Sequence, residues 1–293
     1  MTKQKYPLPN LVSGKKNELV NSYKRQVLAT KNKNFSKLKG RKRLMVYNVN
    51  CFSFSQGNIG GNANINISKL AKELMVDTLL ISEYSDILGE PLDNRYTEQV
   101  YYKQYYNFGI AALSKDAIEF YEVLELDSNK NREVRGAIHI VQYGFNIILT
   151  HLDVWDETGK MRDMEIANLL SYISANNLTD VLLVGDFNEP SIDRELLGDY
   201  LVDELEDDYL KRTGKTKGIP NGVRKALEDY GFIDMFSSRV VEHRPKFSCW
   251  TGKLVDFCYI YKPTIKNKIV NIDFYYTIHS DHLPLIIDIQ VYN

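Results

Sequence analysis

The sequence predicts a layered α/β (α+β) sandwich. Three observations carry that prediction. Eight short apolar runs follow one another from residue 43 onward, each rich in β-branched or aromatic residues and bounded by turn formers. Three stretches with helical spacing are set among them in mixed order. The chain has 293 residues, 44% of them hydrophobic and 26% charged, enough for a large core without disulfides or structural metals. That composition excludes a disordered chain and a collagen-like or coiled-coil fibre. No apolar run has the length of a bilayer span.

The expected strands are 43–50, 78–84, 108–115, 136–144, 145–153, 181–188, 255–261 and 283–292. Tyr143-Gly144 marks a hairpin between the fourth and fifth. Helices are expected at 67–76, with Leu70, Leu74 and Met75 on one side, at 161–176, with Ile166, Leu169, Leu170 and Ile173 as a buried stripe, and at 222–230, stopped by Gly231. The stretch 196–221, acidic then basic, reads as a surface excursion without chemistry.

Charge divides the chain. Residues 1–43 carry a net charge of +12 and the remaining 250 residues a net of −13. The expected organisation is a basic, flexible arm over 1–42 and one domain over 43–293. Such an arm suits a nucleic-acid backbone or an anionic lipid surface, or is simply a solvated terminus. The three cysteines form no CxxC pair, and the first residues lack the apolar stretch of a signal peptide. The expectation is a reduced, intracellular monomer (cytoplasm or nucleus) without a transmembrane segment.

The informative pattern is where polar residues fall. Strand 43–50 ends in Asn48 and Asn50, strand 78–84 in Glu83, strand 145–153 in His151 and Asp153, and strand 181–188 in Asp186 and Asn188. Ser280-Asp281-His282 precedes the last strand. If that strand runs antiparallel to the others, all of these residues meet at one rim. A lone Asp-x-Asn after a strand is ordinarily a turn cap. Five strand ends with the same pattern weaken that reading. Oxygen-rich donors with imidazole and no thiolate suit Mg²⁺ or Mn²⁺ better than Zn²⁺. His139, His243 and His279 are assigned no role.

The ordered set VYNVN, ISEY, GIAALSK, THLD, VGDFN, VDFCYI and SDHLPL resembles the endonuclease/exonuclease/phosphatase superfamily over residues 43–292. The resemblance implies a four-layer α/β/β/α sandwich of the deoxyribonuclease I type with the site at one rim. It matches Asn48 and Glu83 to the metal-site Asn and Glu, with Asp281 beside them. It matches His151, Asp186 and Asn188 to catalytic positions, His282 to the final His, and Asp256 to the Asp that orients it. Arg135 sits where many members place an arginine, and Arg135 and Asn50 are the expected phosphate-binding residues. Ser82 stands where a Gln is usual and Tyr47 where a Trp is common, and neither change removes a ligand. Leu254-Val255 before Asp256 and Phe187 in GDFN leave the subfamily unfixed between tyrosyl-DNA phosphodiesterase 2-like and apurinic/apyrimidinic endonuclease-like forms.

The implied chemistry is Mg²⁺-dependent hydrolysis of a phosphodiester by in-line attack of water, on nucleic acid as an endonuclease, exonuclease or end-processing enzyme. The alternative on the same fold is a phosphatase or phosphodiesterase acting on inositol phosphates or phospholipid head groups.

Overall fold

Alternation along the first strand sets up the layers. In β1 (Arg41–Asn48), Leu44 and Val46 join one buried cluster, while Met45 and Tyr47 join another. The same split recurs in β4 (Thr78–Tyr84), where Leu80 faces the first cluster and Leu79 and Ile81 the second. A strand apolar on both faces lies inside a stack of layers, and four layers result.

The computed structural model describes residues 21–291 apart from 22, 53, 56–57, 60–62, 86–91, 93–94, 106–107, 127–133, 198, 215–217, 238, 240–243 and 264–268. A helix α1 (23–29) comes first. After β1 follow a short hairpin of β2 (Phe54–Ser55) and β3 (Asn58–Ile59), then α2 (Asn64–Glu73) and β4. Then come β5 (Glu98–Tyr105), β6 (Phe108–Ser114), β7 (Phe120–Glu125), β8 (Gly136–Gln142) and β9 (Phe145–His151). Next are α3 (Lys160–Ala175), β10 (Val181–Asp186), α4 (Arg194–Leu197), α5 (Asp199–Thr213) and α6 (Gly222–Tyr230). The chain closes with β11 (Ile233–Asp234), β12 (Asp256–Tyr261), β13 (Ile269–Phe274) and β14 (Leu285–Gln290).

Two six-stranded sheets stack face to face, in the orders β13-β14-β1-β4-β6-β5 and β11-β12-β10-β9-β8-β7. Each holds one parallel pair, β1 with β4 and β9 with β10, flanked by antiparallel strands. The sandwich therefore has a pseudo-two-fold arrangement that leaves no internal repeat in the sequence. Helix α2 covers the first sheet through Ile67, Leu70 and Ala71. Ile166, Leu169 and Ile173 of α3 and Val223 and Leu227 of α6 join the core of the second. The expected four-layer sandwich is the observed one.

The expected hairpin is present, with Tyr143 and Gly144 both at positive φ and Gln142 paired to Phe145. Helix α6 matches its expected bounds and ends at Gly231 in the left-handed region. Other elements depart from expectation. Helix α2 starts at Asn64 and ends before Met75, whose side chain is exposed rather than buried. The supposed surface excursion at 196–221 contains α5, anchored by buried Val202 and Tyr209 seven residues apart. Strands β5, β7 and β13 lie where none was expected.

The basic arm also divides differently. Residues 1–20 and Ser22 lie outside the described residues. From Tyr23 onward the segment is bound to the body, with Tyr23 and Val27 each only 2% exposed. Its charges meet body carboxylates: Lys33 with Asp273, Lys37 with Asp77, Lys42 with Asp116. Arg43 grips Asp288 of β14 with two hydrogen bonds of 2.6 and 2.9 Å. Because Arg43 and Asp288 are also cross-strand partners, this buried pair fixes the β1–β14 register.

Candidate phosphoryl-transfer site

Both parallel pairs point their C-terminal ends at the same rim. There β1 ends in Asn48, β4 in Glu83-Tyr84, β9 in His151 and β10 in Asp186. The antiparallel strands β12 and β14 begin at or just after Asp256 and His282, so the expected reversal of the last strand holds.

In the second sheet three of these residues share one rung. Asp186 is the register partner of His151 on one side and of Asp256 on the other. Side chains on one rung of neighbouring strands stand side by side on the same face. This close pairing requires Gly185, because a Cβ there would lie 1.9 Å from the carbonyl oxygen of Thr150.

The first sheet delivers Glu83 by a different device. The β4–β6 register slips between Ser82 and Tyr84, and Glu83 sits in that bulge with φ 54°. A bulge re-aims one side chain, and here it turns the carboxylate toward the second sheet. Asn50, Cys51 and Phe52 make a left-handed turn after β1, with φ of 46°, 51° and 57°. Asn188 also has a positive φ, 49°. Five of the ten described non-glycine residues with left-handed backbone thus lie at the rim.

Asn48 ties the two sheets together. Its Nδ2 donates to Glu83 Oε1 at 3.1 Å and to Asp186 Oδ2 at 2.9 Å. Its Oδ1 accepts the N–H of Asn50 at 3.0 Å. Asn50 Nδ2 in turn donates to Asp281 Oδ2 at 2.7 Å. Burial, reinforced by Asp281, pushes the Glu83 carboxyl up to about 7. Burial, reinforced by Asp256, pushes Asp186 up to about 6. Asp281 is raised as well, chiefly by burial.

His282 Nδ1 lies 2.8 Å from Asp256 Oδ2, and its Nε2 lies 3.8 Å from Asp186 Oδ2. Burial alone would lower the pKa of this imidazole. Asp256, Asp186 and Asp281 overcome that and hold it well above 6.5, so it is charged at neutral pH. His151 is the opposite case, held well below 6.5 by burial, Arg135 and His282. Arg135 Nη1 lies 3.0 Å from His151 Nδ1. The same Nη1 lies 3.5 Å from His151 Nε2, so the guanidinium faces both ring nitrogens, and Nε2 stands 3.7 Å from Glu83 and 3.9 Å from Asp186.

The structure gathers Asn48, Glu83, His151, Asp186, Asp256, Asp281 and His282 at one mouth, with Asn50 bonded to Asp281. Two expected site residues stand differently. Arg135 is only 1% exposed and meets the rim through His151. Asn188 Nδ2 is turned to the Leu152 carbonyl at 2.9 Å, while its N–H donates to Asp186 Oδ1 at 2.9 Å. His139 bonds Tyr172 and Asn146, and His243 lies outside the described residues.

Two serines also contribute, Ser280 of the SDH triplet, given no role from sequence, and Ser248, which the sequence reading passed over. Ser280 Oγ donates to the Asn48 carbonyl at 2.7 Å, locking the SDH turn to β1. Ser248 Oγ accepts the N–H groups of Val255 and Asp256, and its carbonyl accepts Leu283 N–H at 2.7 Å. One residue thereby fixes both halves of the His282–Asp256 pair. No sequence pattern around Ser248 signals that role.

The family model for the endonuclease/exonuclease/phosphatase family matches residues 45–234. The chain belongs to that family. The match spans Asn48, Glu83, Arg135, His151, Asp186 and Asn188 but stops before Asp256, Asp281 and His282, which the structure adds. No curated protein matches the sequence. Among solved structures, the chain is similar to an endonuclease/exonuclease/phosphatase from Beutenbergia cavernae, with 13% identity, TM-score 0.61, and 86% of this chain and 72% of that one covered. It is similar to an AP endonuclease from Archaeoglobus fulgidus, with 16% identity, TM-score 0.59, and coverage of 84% and 98%. It is also similar to the human Nocturnin catalytic domain with a bound sulfate anion, with 15% identity, TM-score 0.56, and coverage of 86% and 95%. Among the described residues no helix is long and apolar enough to cross a membrane.

Proposed function

We propose that the protein is a divalent-metal-dependent phosphodiesterase that hydrolyses nucleic acid by in-line attack of water. One observation carries the reading: a charged imidazole, a neutral imidazole and a raised carboxylate converge from both sheets on one mouth beside Glu83 and Asp281. A transition state with charge spread over phosphoryl oxygens needs such fixed donors.

The donor set fits a hard cation. Glu83 and Asp281 are both raised by burial, and Asp281 further raises Glu83, so a bound Mg²⁺ or Mn²⁺ would relieve mutual repulsion. Asn48 turns N–H rather than oxygen toward the carboxylates, which makes it a spacer between Glu83 and Asp186 more than a ligand. A second grouping, Asp186, Asp256 and His282, brings ligand atoms within 4.8 Å of one another. Within it His282 Nδ1 is already bonded to Asp256 at 2.8 Å, so the grouping also forms a hydrogen-bonded triad. When bound at Glu83 and Asp281, the cation supplies Lewis-acid stabilisation of the leaving oxygen.

The chain's own residues supply the rest. Asp186, pushed up to about 6, is ionised above that pH and basic enough to take a proton from the attacking water. Its Oδ1 is held by Asn188 N–H and its Oδ2 by Asn48, which fixes its aim. His282 keeps Nδ1 on Asp256 and presents Nε2–H to a non-bridging oxygen. His151, neutral, turns Nε2 toward Glu83 and Asp186 at the same mouth, with Arg135 against its ring.

The nucleic-acid assignment draws support from the likeness to an AP endonuclease and to a catalytic domain holding sulfate, a tetrahedral anion like the phosphoryl group. Lys33, Lys37, Lys42 and Arg43 are committed to body carboxylates, so these arm charges favour neither nucleic acid nor lipid. The test is a substrate panel in Mg²⁺: DNA and RNA oligonucleotides, a 5′-phosphotyrosyl oligonucleotide, an inositol phosphate and sphingomyelin. Turnover of an oligonucleotide is expected. Turnover confined to the inositol phosphate or sphingomyelin would overturn the assignment.

A further inference from the structure

The loop that carries β9 into α3, residues 152–159, is pinned at its root and its back and bare at its tip. At the root, Leu152 N–H donates to the Asp186 carbonyl at 3.0 Å, and the Leu152 carbonyl accepts Asn188 Nδ2. Behind it, buried Glu165 accepts Asp153 N–H at 2.8 Å. Buried Arg162 donates to the carbonyls of Asp153 and Asp156 at 2.9 and 3.1 Å. Asp156 takes the N–H groups of Thr158 and Met161, and Tyr209 reaches over from α5 to the Glu157 carbonyl. Pro220 packs so close to Gly159 that a Cβ there would lie 2.6 Å from it. Against all this support, the tip residues Val154 and Trp155 are each 43% exposed.

A rigid loop that holds an indole in solvent has already met the ordering cost of binding it to something. The tip is also close to the chemistry along the chain: the Cα of Trp155 is at most about 11 Å from that of Leu152, the residue after His151. We propose that Trp155, with Val154 beside it, is a platform on which a nucleobase next to the scissile phosphate stacks. This rests on the nucleic-acid reading above. Every base offers a π-face, so such a platform contributes affinity with little sequence preference. The tip carries no basic cluster of the kind an anionic bilayer attracts. The Asp153 and Asp156 carboxylates are bonded within the loop, and exposed Glu157 offsets exposed Lys160.

The test compares wild type, Trp155→Ala and Trp155→Phe as full chains in Mg²⁺. The substrates are an oligonucleotide and the same oligonucleotide with the base beside the cleaved bond removed. Trp155→Ala should raise KM on the intact strand by about 5- to 150-fold with kcat nearly unchanged. Trp155→Phe should restore most of that loss. On the base-less strand wild type and Trp155→Ala should match. Thermal melting of Trp155→Ala equal to wild type separates the effect from misfolding. An unchanged KM on the intact strand, or the same loss on both strands, would overturn the platform while leaving the nuclease reading intact. Loss of binding to sphingomyelin-containing vesicles in Trp155→Ala, with oligonucleotide KM unchanged, would reassign the tip to a membrane. No nucleic-acid turnover by wild type would instead remove the reading on which the platform rests.

Discussion

Replacing Asp256 by Asn keeps the side-chain volume and removes the charge that faces His282. The two groups are 2.8 Å apart, and their side chains are only 6% and 12% exposed, so solvent screens them weakly. With charge centres about 4 Å apart at an effective dielectric near 20, the attraction is about 4 kcal/mol, or about 3 pH units of imidazole basicity. Burial by itself lowers the His282 pKa, and Asp256 is the largest contribution raising it. Without that carboxylate the ring should titrate near or below neutral pH. The assay is kcat/KM on an oligonucleotide from pH 5.5 to 9 at saturating Mg²⁺. Wild type should keep its protonated donor through neutrality. Asp256→Asn should lose activity by about tenfold per pH unit from a point about 2 to 3 units lower. The double variant Asp256→Asn/His282→Ala should be no slower than His282→Ala alone, because orientation is irrelevant once the ring is gone. Parallel pH profiles, or losses that multiply, would refute the pair.

Three further outcomes are expected. Glu83, pushed up to about 7, contributes stability that is complete below about pH 4.5 and lost as pH rises through about 7, so the metal-free protein should melt lower at pH 8 than at pH 5.5, and Mg²⁺ should raise the melting temperature more at pH 8; calorimetry with and without EDTA reads both effects. Asp288→Ala strands the buried Arg43 charge and should cost about 3 to 5 kcal/mol in urea unfolding, far more than loss of the partly exposed Lys42–Asp116 pair. Deleting residues 1–40 removes buried Tyr23 and Val27 and should lower the unfolding midpoint clearly in the same assay.

The sandwich was legible because its strands are short, apolar and punctuated, and because polar residues collect where strands stop. Asn48, Glu83, His151 and Asp186 could be placed at one rim from strand ends alone. Other features depend on tertiary context. The bulge that turns Glu83 inward needs the β4–β6 register, which no local pattern encodes. The burial of Arg135 under His151 depends on which strands become neighbours. Residues 98–105 mix Glu, Gln and Lys with tyrosines, so strand β5 lacks a clean apolar face in sequence. Helix α5 is hidden in a run of acids, its anchors reduced to Val202 and Tyr209. The segment from Tyr23 onward was read by charge alone, and the two apolar residues that dock it stand only four apart. Trp155 carried no signal, because an exposed tip and a buried one look alike in sequence.

The central claim is that Glu83 and Asp281 hold a divalent cation while Asp186 activates water at the same mouth. The most direct measurement is hydrolysis of an end-labelled oligonucleotide by wild type and Asp186→Asn, in excess EDTA and after Mg²⁺ or Mn²⁺ is restored. The account predicts no turnover in EDTA and recovery with either ion. It also predicts a loss of about 10²- to 10⁴-fold in kcat for Asp186→Asn, with an unchanged melting temperature. Full activity in excess chelator, or an Asp186→Asn variant as fast as wild type, would contradict it.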